Sequence, residues 1–94
     1  MYLKAKLKGE EAFNLFQTKF IPVCGEFKIP VGCEGHIVPL PNYERKDFLV
    51  AHSIVNSDYS GDLLVIVTNL VGSGLIIKPN ERIAQLIINK EENI

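Results

Sequence analysis

Val55-Asn56-Ser57-Asp58-Tyr59-Ser60-Gly61-Asp62 decides how this chain folds. It joins two apolar runs, Phe48-Leu49-Val50-Ala51-His52 and Leu63-Leu64-Val65-Ile66-Val67. Its own Asn, Ser, Asp and Gly residues are the ones that make tight turns, because their side chains bond the local backbone or tolerate positive φ. Two apolar runs linked in this way read as strand, hairpin, strand, with Gly61 permitting the turn.

Outward from the hairpin the punctuation continues. From Phe20 onward Pro22, Gly25, Pro30, Gly32, Gly35, Pro39, Pro41, Gly61, Gly72, Gly74 and Pro79 cut the chain into short pieces, of strand rather than helix length. Strands are expected near Phe27–Ile29, His36–Leu40, Phe48–His52, Leu63–Asn69, Gly74–Ile77 and Ile83–Asn89. No helical crossover of the length that parallel strands require separates any two of them. The fold class is therefore mainly β, an antiparallel, jelly-roll-like β-sandwich. Leu63–Val67 lacks polar alternation, so it is expected to be covered on both faces, within the sandwich or against a neighbouring subunit. Phe13, Leu15, Phe16 and Phe20 fit a helical turn or irregular strand equally well, and the choice stays open. The chain reads as one domain, 1–94, with a divergent segment 1–20 and a frayed tail, 90–94, carrying Glu91-Glu92-Asn93-Ile94.

Composition narrows the function classes. A chain of 94 residues buries only about 60–65% of its unfolded surface and is marginal alone. With 47% hydrophobic residues, apolar surface is left over for partner subunits, so self-association is expected. Ten basic residues against eleven acidic ones, with no basic run, exclude non-specific binding to duplex nucleic acid. No apolar stretch approaches the roughly 20 residues needed to span a bilayer. The opening Met1-Tyr2-Leu3-Lys4-Ala5-Lys6 has neither the apolar region nor the cleavage site of an export signal, so a cytoplasmic location is expected. Cys24 and Cys33 are expected to be reduced thiols, and Cys33-x-x-His36 with distant Cys24 and His52 is too sparse for a zinc site. No metal ligand is therefore assigned. His36 and His52 titrate nearest neutrality, yet neither has a Ser or Cys at a spacing that pairs a nucleophile with a base.

Four pieces in order resemble the dUTPases and their relatives the dCTP deaminases. Ile29-Pro30-Val31-Gly32-Cys33-Glu34-Gly35-His36-Ile37 is similar to the family's Leu-Pro-x-Gly-x-x-Gly turn, whose glycines are expected to supply positive-φ corners. Ala51-His52-Ser53-Ile54 resembles the Ala-His-x-Ile ahead of the deaminase hairpin. The hairpin itself resembles hydrophobic-Ile-Asp-x-x-Tyr-x-Gly, and Pro79-Asn80-Glu81-Arg82-Ile83-Ala84-Gln85-Leu86-Ile87 resembles Gly-Asp-Arg-Ile-Ala-Gln-Leu-Ile. The resemblance covers roughly residues 20 to 89 and implies a dUTPase-like sandwich, a homotrimer and a deoxynucleoside pocket between subunits.

The departures bear on chemistry. Asn56 stands where the family carries its hydrolytic Asp, and a carboxamide cannot take a proton from water. The family's Ala-Gly-Tyr-Asp-Leu, whose Asp helps hold hydrated magnesium, finds no counterpart among residues 1–25 in this reading. Leu40-Pro41-Asn42 falls where the family binds phosphate with Arg-Ser-Ser, and it brings neither guanidinium nor hydroxyls; Arg45 and Lys46 follow a few residues on. The Gly-rich arm that closes over the triphosphate finds no match before Ile94, so no lid is expected from this chain. The deaminase's acid/base Glu falls near Ile66.

What the resemblance implies for individual residues is a binding set of Asn56, Asp58, Tyr59, Gly61 and Gln85. Tyr59 packs on the deoxyribose in the family, and Gln85 meets a phosphate or a magnesium-bound water. Asp58 shares the face of Asn56 and substitutes for the missing base if the backbone there stays extended, whereas in a tight turn it accepts backbone N–H bonds instead; Asp62 is the other candidate carboxylate. The expected function is a catalytically defective dUTPase-fold protein that works by binding, with a protein partner. That parallels adenoviral proteins resembling dUTPases, and implies a viral or phage-like setting in a host cell. The alternative is a nucleotide-binding protein for a deoxynucleotide or signalling nucleotide, or a residual dUTP pyrophosphatase, which would call for Mg2+.

Overall fold

The structure is a computed structural model, and it describes residues 1–41, 44, 46–72 and 74–91. All regular elements among these residues are strands, as the Pro and Gly spacing implies: β1 (Tyr2–Lys4), β2 (Glu11–Phe13), β3 (Thr18–Pro22), β4 (Phe27–Lys28), β5 (Cys33–Val38), β6 (Phe48–Val50), β7 (Ser53–Val55), β8 (Ser60–Gly61), β9 (Leu64–Asn69), β10 (Leu75–Ile77) and β11 (Arg82–Lys90). One sheet runs β1-β11-β5-β7, a second β3-β9-β6, and the short pairs β10-β2 and β4-β8 join them. Every pairing is antiparallel.

The core lies between the two larger sheets. Period-two alternation sends Ile37, Val55 and Leu86 inward from one sheet and Ile21, Val50, Val65 and Val67 inward from the other, and a register shift opposite Leu3/Lys4 that breaks the alternation of β11 buries Ile83 as well, all in one cluster with Leu3, Phe13, Ile29 and Ile77. The opening segment resolves as strand. Phe13 is buried and pairs with Leu75, a partner so distant in sequence that no local pattern fixes the choice.

Two expectations are corrected, and a third is met within the chain on one face: in Leu63–Val67, Val65 and Val67 are fully buried, whereas Leu64 is 51% exposed and Ile66 half-buried, which leaves the other face to the neighbouring subunit that the expectation allowed. Together with Phe20 and Leu49, Leu64 and Ile66 give the β3-β9-β6 sheet an apolar outer face. Gly32 does take a positive φ, 83°, but Gly35 is no corner. It lies within β5, where an added Cβ would stand 2.9 Å from Ile29 Cδ1, 3.2 Å from Leu86 Cδ1 and 3.3 Å from Val55 Cβ. Only a residue without a side chain lets three core groups meet there. Lys90 is paired with Cys33, and the Glu91 amide donates to the Gly32 carbonyl at 2.8 Å, so strand pairing reaches the end of the described chain. Asn42, Tyr43, Arg45, Ser73 and residues 92–94, with the phosphate reading of Asn42 and Arg45 and the rest of the tail, lie outside the described residues.

Candidate functional site

The expected hairpin segment is a turn whose flanking strands β7 and β8 pair with β5 and β4 rather than with each other, and it is held from both sides. Val55 anchors its first leg in the core, and Leu63 anchors the second. Between them the Tyr59 amide donates to the Asn56 carbonyl at 3.2 Å, closing the turn. The turn docks on the segment after β4: the Asp58 amide donates to Ile29 O at 3.1 Å, the Ile29 amide to Tyr59 O at 2.9 Å, and the Gly32 amide to Ser57 Oγ at 2.9 Å. These bonds close the turn and pair it with its support, so the loop is built rather than draped.

Inside this frame Tyr59 folds back over Gly61. Its hydroxyl donates to the Asp62 carbonyl, and a Cβ at position 61, where φ is 140°, would come within 3.3 Å of Tyr59 Oη. Gly61 thus serves the turn and leaves room for the ring. Tyr59 is 36% exposed; it lines an open groove of about 370 Å3 with Asn56, Asp62, Ser53, Ile54 and Leu64. That volume lies within the roughly 300–1,000 Å3 of small-molecule sites.

The remaining site residues scatter. Asp58 has φ 63°, a left-handed turn conformation rather than the extended backbone that would put it on the face of Asn56, and it is not among the groove's lining residues. The carboxylate-bearing residue that lines the groove is Asp62. Gln85 sits in the middle of the four-stranded sheet, opposite Tyr2 and Val38, and its Nε2 donates to Pro39 O at 3.4 Å. A single chain does not bring it to the hairpin. Pro39 and Leu40 line a different groove, of about 420 Å3, with Phe48, Leu49, Val50, Leu70 and Lys46, the one charged side chain in that lining.

Among the described residues no three His, Cys, Asp or Glu side chains gather to hold a metal. Both cysteines are free thiols, and Cys33 packs against the core. The histidines are not isolated: His36 and His52 face each other across the β5–β7 edge, Nδ1 to Nε2, at 2.8 Å. The sequence separation of 16 hid this contact, because it depends on the register that sets His36 opposite Ile54.

A dUTPase family model matches residues 5–94. The chain belongs to the dUTPase family. The deoxyuridine 5'-triphosphate nucleotidohydrolase of Fusobacterium nucleatum is 33% identical over all of this chain and 66% of the relative. The enzyme of that name from Fowl adenovirus A serotype 1 is 32% identical over 87% of this chain and 51% of its own length. The chain thus spans about two thirds or less of these relatives. Among solved structures, the native EIAV dUTPase superposes with a TM-score of 0.79 at 22% identity, over 97% of this chain and 76% of that one. An Asp-to-Asn variant of the Staphylococcus bacteriophage 80alpha dUTPase with dUpNHpp gives 0.80 at 15% identity, over 99% and 77%.

The family match takes in residues 5–19, which the sequence reading left outside the resemblance. Asn14 follows β2 in a turn where its carbonyl accepts from Nδ2 of the buried Asn69 at 3.0 Å.

Proposed function

We propose that this dUTPase-fold protein works by binding a deoxynucleotide in the hairpin groove without hydrolysing it at an enzyme's rate, and that it does so as a homotrimer. The observation that carries the reading is Asn56, whose carboxamide lines a groove otherwise fit for a nucleoside. Tyr59 offers a ring face for the sugar, and Asn56 donates or accepts a hydrogen bond where a carboxylate could only accept. Hydrolysis needs a general base, and an amide supplies none.

Magnesium does not fit the residues present. The hard cation seeks carboxylate oxygens. We take Asn14, in Ala12-Phe13-Asn14-Leu15, as the counterpart of the Asp in the family's Gly-Tyr-Asp-Leu, so that both motif carboxylates are Asn here, Asn14 and Asn56, and no acidic cluster replaces them among the described residues. No step is therefore routed through the ion. The homotrimer is supported by the exposed apolar strip of Phe20, Leu49 and Leu64 and by the separation of the two grooves within one chain, which share no lining residue. A neighbouring copy is the means of completing either groove.

The test is a dUTP turnover assay on the purified chain with magnesium, beside sedimentation of the same sample. The expected result is turnover at the uncatalysed background from a trimer. Enzyme-level turnover that disappears on changing Asn56 or Asp62 would contradict the proposal.

A further inference from the structure

On the outer face of the four-stranded sheet, away from the hairpin groove, Glu34, His36 and His52 form a continuous chain of contacts. We infer that His36 and His52 form a binding site for a borderline divalent cation such as Zn2+ or Ni2+, with Glu34 fixing the geometry. This inference stands independently of the proposed nucleotide site.

Three observations carry it. First, His36 Nδ1 and His52 Nε2 aim at each other across 2.8 Å, so the two nitrogens already converge on one point in space. A metal at about 2.0–2.1 Å from each nitrogen at a tetrahedral angle sits off the line between them and sets them about 3.3–3.4 Å apart, so the exposed His52 ring swings out by about half an ångström and turns its lone pair towards the ion. The neutral pair then needs no net proton loss, because His52 carries its ring hydrogen on Nδ1 instead of Nε2.

Second, the other nitrogen of His36 is held. Nε2 lies 3.1 Å from Glu34 Oε1, and a carboxylate only accepts, so Nε2 keeps the hydrogen and Nδ1 presents its lone pair towards His52. A carboxylate behind a histidine, setting its tautomer and raising its basicity, is the usual outer arrangement of a metal-binding imidazole. Third, the strands fix the pair. His36 is set in β5 between Ile87 of β11 and Ile54 of β7, with its side chain 18% exposed, while His52 is exposed at the entrance to β7. The rings stand 5.0 Å apart at 46°, one anchored and one open to solvent.

The donor chemistry selects the ion. Imidazole nitrogens suit zinc, nickel and copper, whereas magnesium and calcium seek oxygen. Two protein nitrogens leave the remaining positions to water, and the adjoining groove of about 600 Å3, lined by Glu34, His36, Asn89, Lys90 and Glu91, gives that water room.

The experiment is isothermal titration of the untagged full chain with ZnCl2, and separately with MgCl2, on wild type, His52→Ala and Glu34→Gln. His52 is exposed and Glu34→Gln keeps its size, so both variants are expected to melt like wild type without metal. Saturation at one Zn2+ per chain, no magnesium heat, loss of the site in His52→Ala and about 10- to 100-fold weaker binding in Glu34→Gln would support the inference. It is overturned if zinc gives no saturable heat. It is equally overturned if His52→Ala binds as wild type does, which would place the ion on the Cys24 or Cys33 thiols.

Discussion

The two grooves of this molecule have fared differently. The hairpin groove has the parts that the proposed nucleoside site calls for: a turn fixed by bonds to Ile29 and Gly32, a positive-φ glycine at 61, and Tyr59 lying over it. The groove beside Pro39 and Leu40 is apolar except for Lys46, and Leu40, near which the family resemblance puts its phosphate-binding Arg-Ser-Ser, is only 6% exposed. A buried Leu contributes to stability by leaving water; it offers phosphate nothing. The difference teaches that recognition of the nucleoside and recognition of the phosphates are separable, since they are built from different elements.

The largest expected effect breaks the frame that the hairpin depends on. In Gly35→Ala the new methyl meets Ile29, Leu86 and Val55, and Ile29 and Val55 are the supports of the turn. Destabilisation of about 1–3 kcal/mol, read from the denaturant midpoint, should come with loss of nucleotide binding. A neutral Gly35→Ala would show that the hairpin does not rest on this packing.

Next is Gly61→Ala, which strains a φ of 140° and crowds Tyr59 Oη. A loss of about 1–2 kcal/mol is expected, with dUMP affinity falling while oligomer mass stays constant. Asn56→Asp sharpens the chemical side of the comparison. A restored general base alone contributes about 10²–10⁴-fold, but with Leu40 and Asn14 unchanged we expect turnover to remain within tenfold of background. A rise of a thousandfold would mean that the base was the only missing part. The smallest effects are expected far from the nucleoside. Lys46→Ala should weaken a triphosphate analogue by less than about fivefold, in line with the modest worth of an exposed charge, and leave dUMP unchanged in a titration.

Much of this was legible in the sequence, and the limits have physical causes. Most strands from Phe27 onward follow from Pro and Gly punctuation and β-branched runs, which act locally, whereas the short β7 and β8, which pair with β5 and β4, were not expected. The strands β1, β2 and β3 pair with Ala84, Leu75 and Ile66, contacts that no local window contains. Gly35 looked like a turn residue because its packing role depends on Leu86, far along the chain. Within the site, Asn56, Tyr59 and Gly61 were placed by the turn itself. For Asp58 the backbone follows the tight-turn alternative, since a left-handed turn position takes it off the extended path of Asn56, leaving Asp62 as the groove's acidic residue. Gln85 shares a family motif but, in one chain, a different neighbourhood.

The central claim, that the nucleoside end is kept and the phosphate end is lost, is tested most directly by titrating one protein sample with dUMP and with dUpNHpp. The account predicts saturable binding of both at one per chain, with affinities within about threefold, under 1 kcal/mol apart. Binding of dUpNHpp about a hundredfold tighter than dUMP, near 2.7 kcal/mol, or no binding of either, would contradict it.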